Sequence, residues 1–365
     1  GGPPVLFNAR RYTGTGAVKD INGLGFQPDL LWGKDRDASN WHILVDSVRG
    51  AHNNNNAVIY SNDSNQIDNP SGGDTFSGFN SDGFSLGTNG RTNGDGVAHI
   101  AWAWKAGGAP SGSALSLSNG IGAGTIANDA TGVSGVTSIT QSVNQNSGFS
   151  ITKYTGTNTA NSYFPHNLGG TPDLVIIKNL STASAWLTWH TGLGSAATGG
   201  NFLRLDNNNY KGANGSDSNQ YFGTTGVTST LIGCTNETWT GTAHNYICYA
   251  WKAVSGVSAF GTYTGGGSSN STFANCGFFP RFIMTKRTNS TGHWMIMDNI
   301  RDTASSDGDS MYHQLYPNTS GTEDATGSYD KYELDEQSGN KGFFAKGNFS
   351  TSNASNGTYI YMAFA

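Results

Sequence analysis

Glutamate is almost missing from this chain of 365 residues: none precedes Glu237, and Glu237, Glu323, Glu333 and Glu336 are the whole complement. Helices cover their solvent faces with Glu, Lys, Leu and Ala, whereas pleated surfaces favour Thr, Tyr, Trp and Val. No long stretch holds a 3.6-residue apolar period between caps, so the composition excludes a helical protein and predicts an all-β one. Charge of both signs is scarce, at 12% of residues, about half the usual share. A net charge of −5 without a Lys/Arg cluster gives nothing for a phosphate backbone to hold, which excludes nucleic acid. The low charge is not a mark of disorder, because 35% hydrophobic residues and 52 glycines make an ordinary apolar share. No apolar run approaches the ~18–20 residues of a membrane span, so no membrane partner is expected. Cysteine is limited to Cys234, Cys248 and Cys276. An odd count without metal-type spacing excludes a disulfide framework and leaves buried apolar thiols. Neither an initiator Met nor an apolar leader opens the chain, and Gly1-Gly2-Pro3-Pro4 matches Gly107-Gly108-Ala109-Pro110 farther on. The expectation is that further sequence precedes Gly1.

What is present is one pattern spelled three times. It starts with Tyr-Thr-Gly at Tyr12, Tyr154 and Tyr263. A proline-opened apolar run follows, Pro28 to Lys34, Pro172 to Lys178 and Pro280 to Lys286, with six positions from proline to lysine in each. A tryptophan comes seven or eight residues later, at Trp41, Trp186 and Trp294, and is expected to fill an equivalent core place in each unit. Each unit closes on an aromatic-alanine strand at Ala101–Lys105, Tyr249–Lys252 and Tyr361–Ala365. A period of about a hundred residues is too long for a solenoid and suits a string of small domains.

The expected fold is therefore all-β, with three tandem β-sandwich units of jelly-roll or lectin-like type. Units one to three span 1–106, 148–254 and 255–365, and 107–147 is a Gly/Ser/Thr-rich linker or a packed strand pair. Asx-Gly pairs at Asn22-Gly23, Asp82-Gly83, Asn89-Gly90, Asn93-Gly94, Asn214-Gly215, Asp307-Gly308 and Asn356-Gly357 predict tight hairpins between seven or eight strands per unit. Runs such as Asn53–Asn56 and Asp206–Asn209 read as polar loops, where binding usually evolves on a rigid scaffold.

Several of these segments together resemble a known family. They are Tyr12-Thr13-Gly14, Leu24–Asp29, Asp46–Gly50, Asp82–Gly87 and Ala101–Lys105, with Asp298–Asp302 and Thr358–Ala365 in unit three. They resemble the repeated β-rich domains of tail-fibre-like and other virion structural proteins of bacteriophages, marine phages above all, over nearly the whole chain except Gly107–Asn146. The resemblance implies a virion surface protein (fibre, spike or appendage) with weak adhesion to host-surface glycans and contacts to other virion proteins. It carries over no catalytic residue. The alternatives are a capsid or tail decoration protein without a ligand and, less favoured, a secreted carbohydrate-binding module or depolymerase. A neutral Asn/Ser/Thr surface with little charge repulsion favours a homo-oligomer, a trimer first, with Gly107–Asn146 touching a neighbour.

Candidate sites follow from the same residues. Asp46…Arg49 and Asp298…Arg301 share a D-x-x-R spacing that reads as an ion pair pinning a turn or as an anion clamp. Unit two has His190 and Leu193 there instead. Glycosidases need two carboxylates across the scissile bond, and only Glu333-Leu334-Asp335-Glu336 alternates acids, beside Lys331 and Gln337 as a solvated edge would. No enzyme, cofactor or metal is expected: the eight histidines are scattered, and Asn62-Asp63-Ser64-Asn65 suits a turn. The aromatics that do not recur, Trp189, Tyr210, Tyr221 and Trp239, are the candidate ligand-binding residues. A pyranose needs one flat apolar face, and a ring repeated in every unit is more simply packing.

Overall fold

The strands that follow Pro28, Pro172 and Pro280 are buried along both faces, as Leu30–Asp35 and Leu174–Asn179 show at every residue. In an antiparallel protein that requires a cover on each side. The computed structural model describes residues 4–50, 57–71, 73–197, 200–211, 221–268, 272–302, 309–325 and 331–365; the run Asn53–Asn56 and the pairs Asn214-Gly215 and Asp307-Gly308 lie outside them. The first section holds β1 (Phe7–Thr13), β2 (Lys19–Asn22), β3 (Leu30–Asp35), β4 (Ile43–Asp46), β5 (Phe76–Asn80), β6 (Gly83–Leu86) and β7 (Ala98–Trp104). Then come β8 (Ile121–Ile126), β9 (Val136–Asn144), β10 (Phe149–Gly156), β11 (Ser162–Pro165), β12 (Leu174–Asn179), β13 (Leu187–His190), β14 (Leu203–Arg204), β15 (Leu231–Cys234) and β16 (Asn245–Trp251). The last section holds β17 (Ser258–Thr264), β18 (Thr272–Asn275), β19 (Phe282–Arg287), β20 (Met295–Asp298), β21 (Ser310–Met311), β22 (Tyr332–Gln337), β23 (Asn340–Ala345) and β24 (Thr358–Phe364). The chain is all-β and its sheets are antiparallel.

The same four-stranded order occurs three times: β1-β7-β3-β4, β10-β16-β12-β13 and β17-β24-β19-β20. Register matches as well, because Leu30, Leu174 and Phe282 pair with Trp104, Trp251 and Phe364 on one side and with Asp46, His190 and Asp298 on the other. A second sheet accompanies each, three strands β2-β6-β5, two strands β11-β15 and four strands β18-β23-β22-β21. In the middle section β9 and β8 extend the main sheet past β10, and β14 extends it past β13. Residues 107–147 thus supply two strands to that sheet.

Alternation assigns the two faces. Leu31, Ile43, Val45, Ala101 and Ala103 meet Phe76, Phe84 and Leu86 of the second sheet, and a Cβ on Gly33 would come within 2.6 Å of the Phe76 ring. The opposite face, with Phe7, Leu30, Trp32, Trp102 and Trp104, joins one apolar cluster with Tyr249 and Trp251 and with Phe282, Met362 and Phe364. Phe7 lies 5.3 Å from both Phe282 and Phe364, and Trp104 lies 6.0 Å from Trp251 between ring centroids. Where a string of small domains would keep separate cores, these sections also share one.

Polar contacts around that core run in a closed ring. Trp102, Tyr249 and Met362 occupy one register position, two residues before Trp104, Trp251 and Phe364. Trp102 Nε1 donates to Asp298 in the third section (2.9 Å), and Tyr249 Oη donates to Asp46 in the first (2.6 Å). Met362 has no proton to give, and the middle section has His190 where the others have Asp. His190 Nδ1 accepts from Gly192 N, which leaves Nε2–H to donate 2.9 Å to the Tyr361 carbonyl. Each Asp is held by its own arginine, Arg49 Nε at 2.6 Å and Arg301 Nε at 2.7 Å, and His190, neutral with its pKa pushed down to about 4 by burial, needs none. The D-x-x-R pair and its absence from the middle section are one arrangement.

A second ring lies at the head of β4, β13 and β20. Trp186 Nε1 donates to the Asp63 carbonyl in the first section and Trp294 Nε1 to the Arg204 carbonyl in the middle one. Their register equivalent is His42, which accepts from Trp32 Nε1 at Nδ1 and donates from Nε2 to the Tyr316 carbonyl. Trp41, expected in that place, sits one residue short and half-buried, with its ring 4.6 Å from Tyr60 and under the Arg91 guanidinium. The shorter lysine-to-tryptophan spacing, seven instead of eight, was the sign of it. Asp82-Gly83 also departs from expectation. The β5–β6 turn is Ser81-Asp82, and Gly83 begins β6 because a Cβ there would meet the Ile21 carbonyl at 1.9 Å.

Trp104 and Trp251 keep buried Nε1 atoms without a partner among the described residues, and phenylalanine already stands at the third equivalent place. Trp104→Phe is expected to change stability by no more than about 1 kcal/mol, since relief of the orphaned N–H offsets lost packing. Trp102→Phe, two residues away, also removes the bond to Asp298 and is expected to cost about 2–3 kcal/mol. Equilibrium denaturation of the two variants measures the difference.

Candidate functional site

The recurrent motif residues are bound into the fold. Tyr12, Tyr154 and Tyr263 each donate a phenolic hydrogen to a carbonyl shortly before the last strand of their section, those of Thr92, Thr240 and Ser352. Lys34, Lys178 and Lys286 each turn their ammonium onto the carbonyl of the next residue, at 2.8, 2.9 and 2.7 Å. Asp63 of the Asn62–Asn65 run accepts from Asn65 N and presents its carbonyl to Trp186. The acidic run Glu333–Glu336 lies in β22, where Glu333 pairs with Lys346 and Asp335 and Glu336 face solvent. The densest cluster of charge joins the first and third sections: Glu323 takes Arg36 at 2.8 Å and Arg301 at 2.9 Å, and His313 bridges Asp302 and Glu323. Two arginines on Glu323 hold its carboxyl below the usual range against the opposing effect of burial. The order of charges, with every acid matched to a base, is that of a structural lock. Among the described residues no three His, Cys, Asp or Glu side chains form a metal-binding group, and no helix is long and apolar enough to cross a membrane. Burial pushes the thiols of Cys234, Cys248 and Cys276 up.

Of the four aromatic candidates the structure brings two together. Tyr221 and Trp239 stack with ring centroids 4.3 Å apart and planes within 10°. Phe202 closes edge-on against both, at 5.1 and 5.8 Å. The Arg204 guanidinium lies 5.6 Å over the Trp239 ring, and its buried Nε has no partner among the described residues. Arg204 was not legible from the sequence as part of this group, because β14 is two residues long and lies 35 positions from Trp239. Trp239 and Tyr221 are half-buried, so part of the stack stays open to solvent. The Tyr221 hydroxyl pKa is raised by burial and by Glu237, against a smaller lowering by Arg204.

Trp189 and Tyr210 stand apart. Trp189 is 4% exposed and donates from Nε1 to the Gly194 carbonyl at 2.9 Å, which places the ring in the core with no free face. Tyr210 is 44% exposed and makes no ring contact with the stack. The half-buried Tyr221–Trp239 pair leaves part of its aromatic surface open, which suits the apolar face of a sugar ring.

No curated protein and no solved structure matches the chain. A family model does, over residues 3–365, and the chain belongs to that family, described as a domain of unknown function (DUF7483).

Proposed function

We propose that this chain is a structural and adhesive component of a particle surface, in the manner of bacteriophage fibre, spike or appendage proteins, and that it makes weak, multivalent contact with host-surface glycans. One observation carries the reading. Residues that recur in all three sections are spent on the fold and its rings, whereas the half-open Tyr221–Trp239 stack with Arg204 belongs to the middle section alone. A rigid scaffold whose half-open aromatic groups differ between sections, this stack in the middle one and Trp41 with Tyr60 and Arg91 in the first, is organised for display. Single contacts of this kind are weak, and many copies on a particle convert millimolar contacts into avidity. The reading includes self-association, a homotrimer first, and contact with other virion proteins. It includes no chemical reaction.

Glycan-array binding of the protein coupled to beads tests this. Signal is expected with beads and not with free protein, and Trp239→Ala should abolish it while the melting temperature changes little. Binding unchanged in folded Trp239→Ala would remove the stack from the reading. No binding to any glycan or host cell would favour a decoration protein.

A further inference from the structure

The middle section carries a cleft of about 640 Å³ that owes one wall to the added hairpin β8–β9. Its lining includes Thr131 in the β8–β9 connection, Gln145 just past β9, Tyr163 and Pro165 of β11, Asn167, and Thr230 just before β15. Among the described residues the third section has no counterpart to that hairpin, since β17 follows β16 after six residues. We infer that this cleft is a binding site for a neutral saccharide, distinct from the Tyr221–Trp239 stack and independent of any place on a particle.

The chemistry of the lining sets the class. No charged side chain is among the lining residues, which disfavours an ionic ligand. The two amides are fixed in place by their nitrogens: Gln145 Nε2 donates to the Asn167 carbonyl at 2.9 Å, and Asn167 Nδ2 donates to Gln141 Oε1 at 2.7 Å. Gln141 is itself anchored, with Nε2 donating to the Pro165 carbonyl at 2.8 Å. Among the described residues the two amide oxygens accept no hydrogen bond and are left for a ligand, and Thr131 and Thr230 of the same lining carry hydroxyls. Asn167 holds a left-handed backbone, φ 58°, next to the half-buried Tyr163 wall. A ligand rich in hydroxyl donors with an apolar ring face meets these demands, and the volume lies within the range of small-molecule sites.

Saturation-transfer NMR on the full chain with cellobiose, lactose and diacetylchitobiose at millimolar concentration tests the site, with glucuronate as the charged control. At least one disaccharide is expected to bind and glucuronate to bind more weakly. Asn167→Gly keeps the backbone conformation and removes the amide. Thr230→Arg fills the cleft from an exposed position. Each should weaken binding about fivefold or more, while Trp239→Ala leaves it unchanged. Absence of transfer from all three disaccharides, stronger binding of glucuronate, loss of transfer in Trp239→Ala, or unaltered binding in Thr230→Arg would overturn the assignment. A positive result here with a silent bead array would separate this site from the adhesive reading.

Discussion

Asp46→Ala should cost about 3–5 kcal/mol, the largest loss expected from any single polar substitution in this chain. The carboxylate accepts from the Arg49 backbone N, from Arg49 Nε and from Tyr249 Oη of the middle section, at 2.8, 2.6 and 2.6 Å. Its removal strands a guanidinium that is buried with it and whose other nitrogens are committed to the Leu44 and Ala57 carbonyls. Asp298→Ala loses the bond from Trp102 as well, but should cost less than Asp46→Ala because Arg301 keeps Glu323 at 2.9 Å. Two substitutions calibrate the effect. Tyr249→Phe removes only the bond between sections and should cost about 1–2 kcal/mol. His190→Ala removes a neutral bond with no arginine behind it and should cost less than Asp46→Ala. Guanidinium denaturation reads all four. Equal losses for Asp46→Ala and Tyr249→Phe would show that the pair is not the anchor described.

The second large effect concerns pH. Burial lowers the amine pKa of Lys286 to about 7 and of Lys178 to about 8, from 10.5. For Lys178 the carboxylates of Asp206 and Asp63 oppose the shift, and for Lys286 Arg287 adds to it. In the unfolded chain both amines hold their proton up to 10.5, so between about 7 and 10.5 unfolding takes up protons and stability rises with pH. Below about 7 the penalty is complete and constant. From about 9 upward the buried thiols and then the tyrosines reverse the trend: burial raises the pKa values of Cys234, Cys248 and Cys276 and of the Tyr154, Tyr249 and Tyr263 hydroxyls, so the unfolded state loses protons first and gains. Greatest stability is expected near pH 8–9, at or above the top of the range usual for proteins. Lys286→Met should stabilise by on the order of 1–3 kcal/mol at pH 7 and by little at pH 10. Melting temperatures of both proteins across pH 6–11 measure this; parallel curves would contradict it.

The sequence made the all-β class and the repeat plain because both are carried by local chemistry: few helix formers, a proline at fixed distance from a lysine, aromatic-alanine strands. The shared core was less visible. A strand such as Leu30–Asp35 looks the same whether its second face meets its own sandwich or a neighbouring section, and only Trp104, Trp251 and Phe364 in contact across sections decide it. The change from Asp to His190 stood out in the sequence, but its reason is Met362, 172 residues away and without a donor. Tyr221 and Trp239 were legible as unrepeated aromatics. Trp189 was equally unrepeated and is buried, because β13 is covered on both faces, which the sequence of one short strand does not reveal.

The central claim is that three sections are locked into one block by a common core and two rings of polar contacts. Differential scanning calorimetry of the intact chain tests it most directly. A single transition is expected, with calorimetric and van't Hoff enthalpies equal, and Asp46→Ala or Asp298→Ala should lower that one transition as a whole. Three separable transitions, with Asp46→Ala displacing only one, would contradict it.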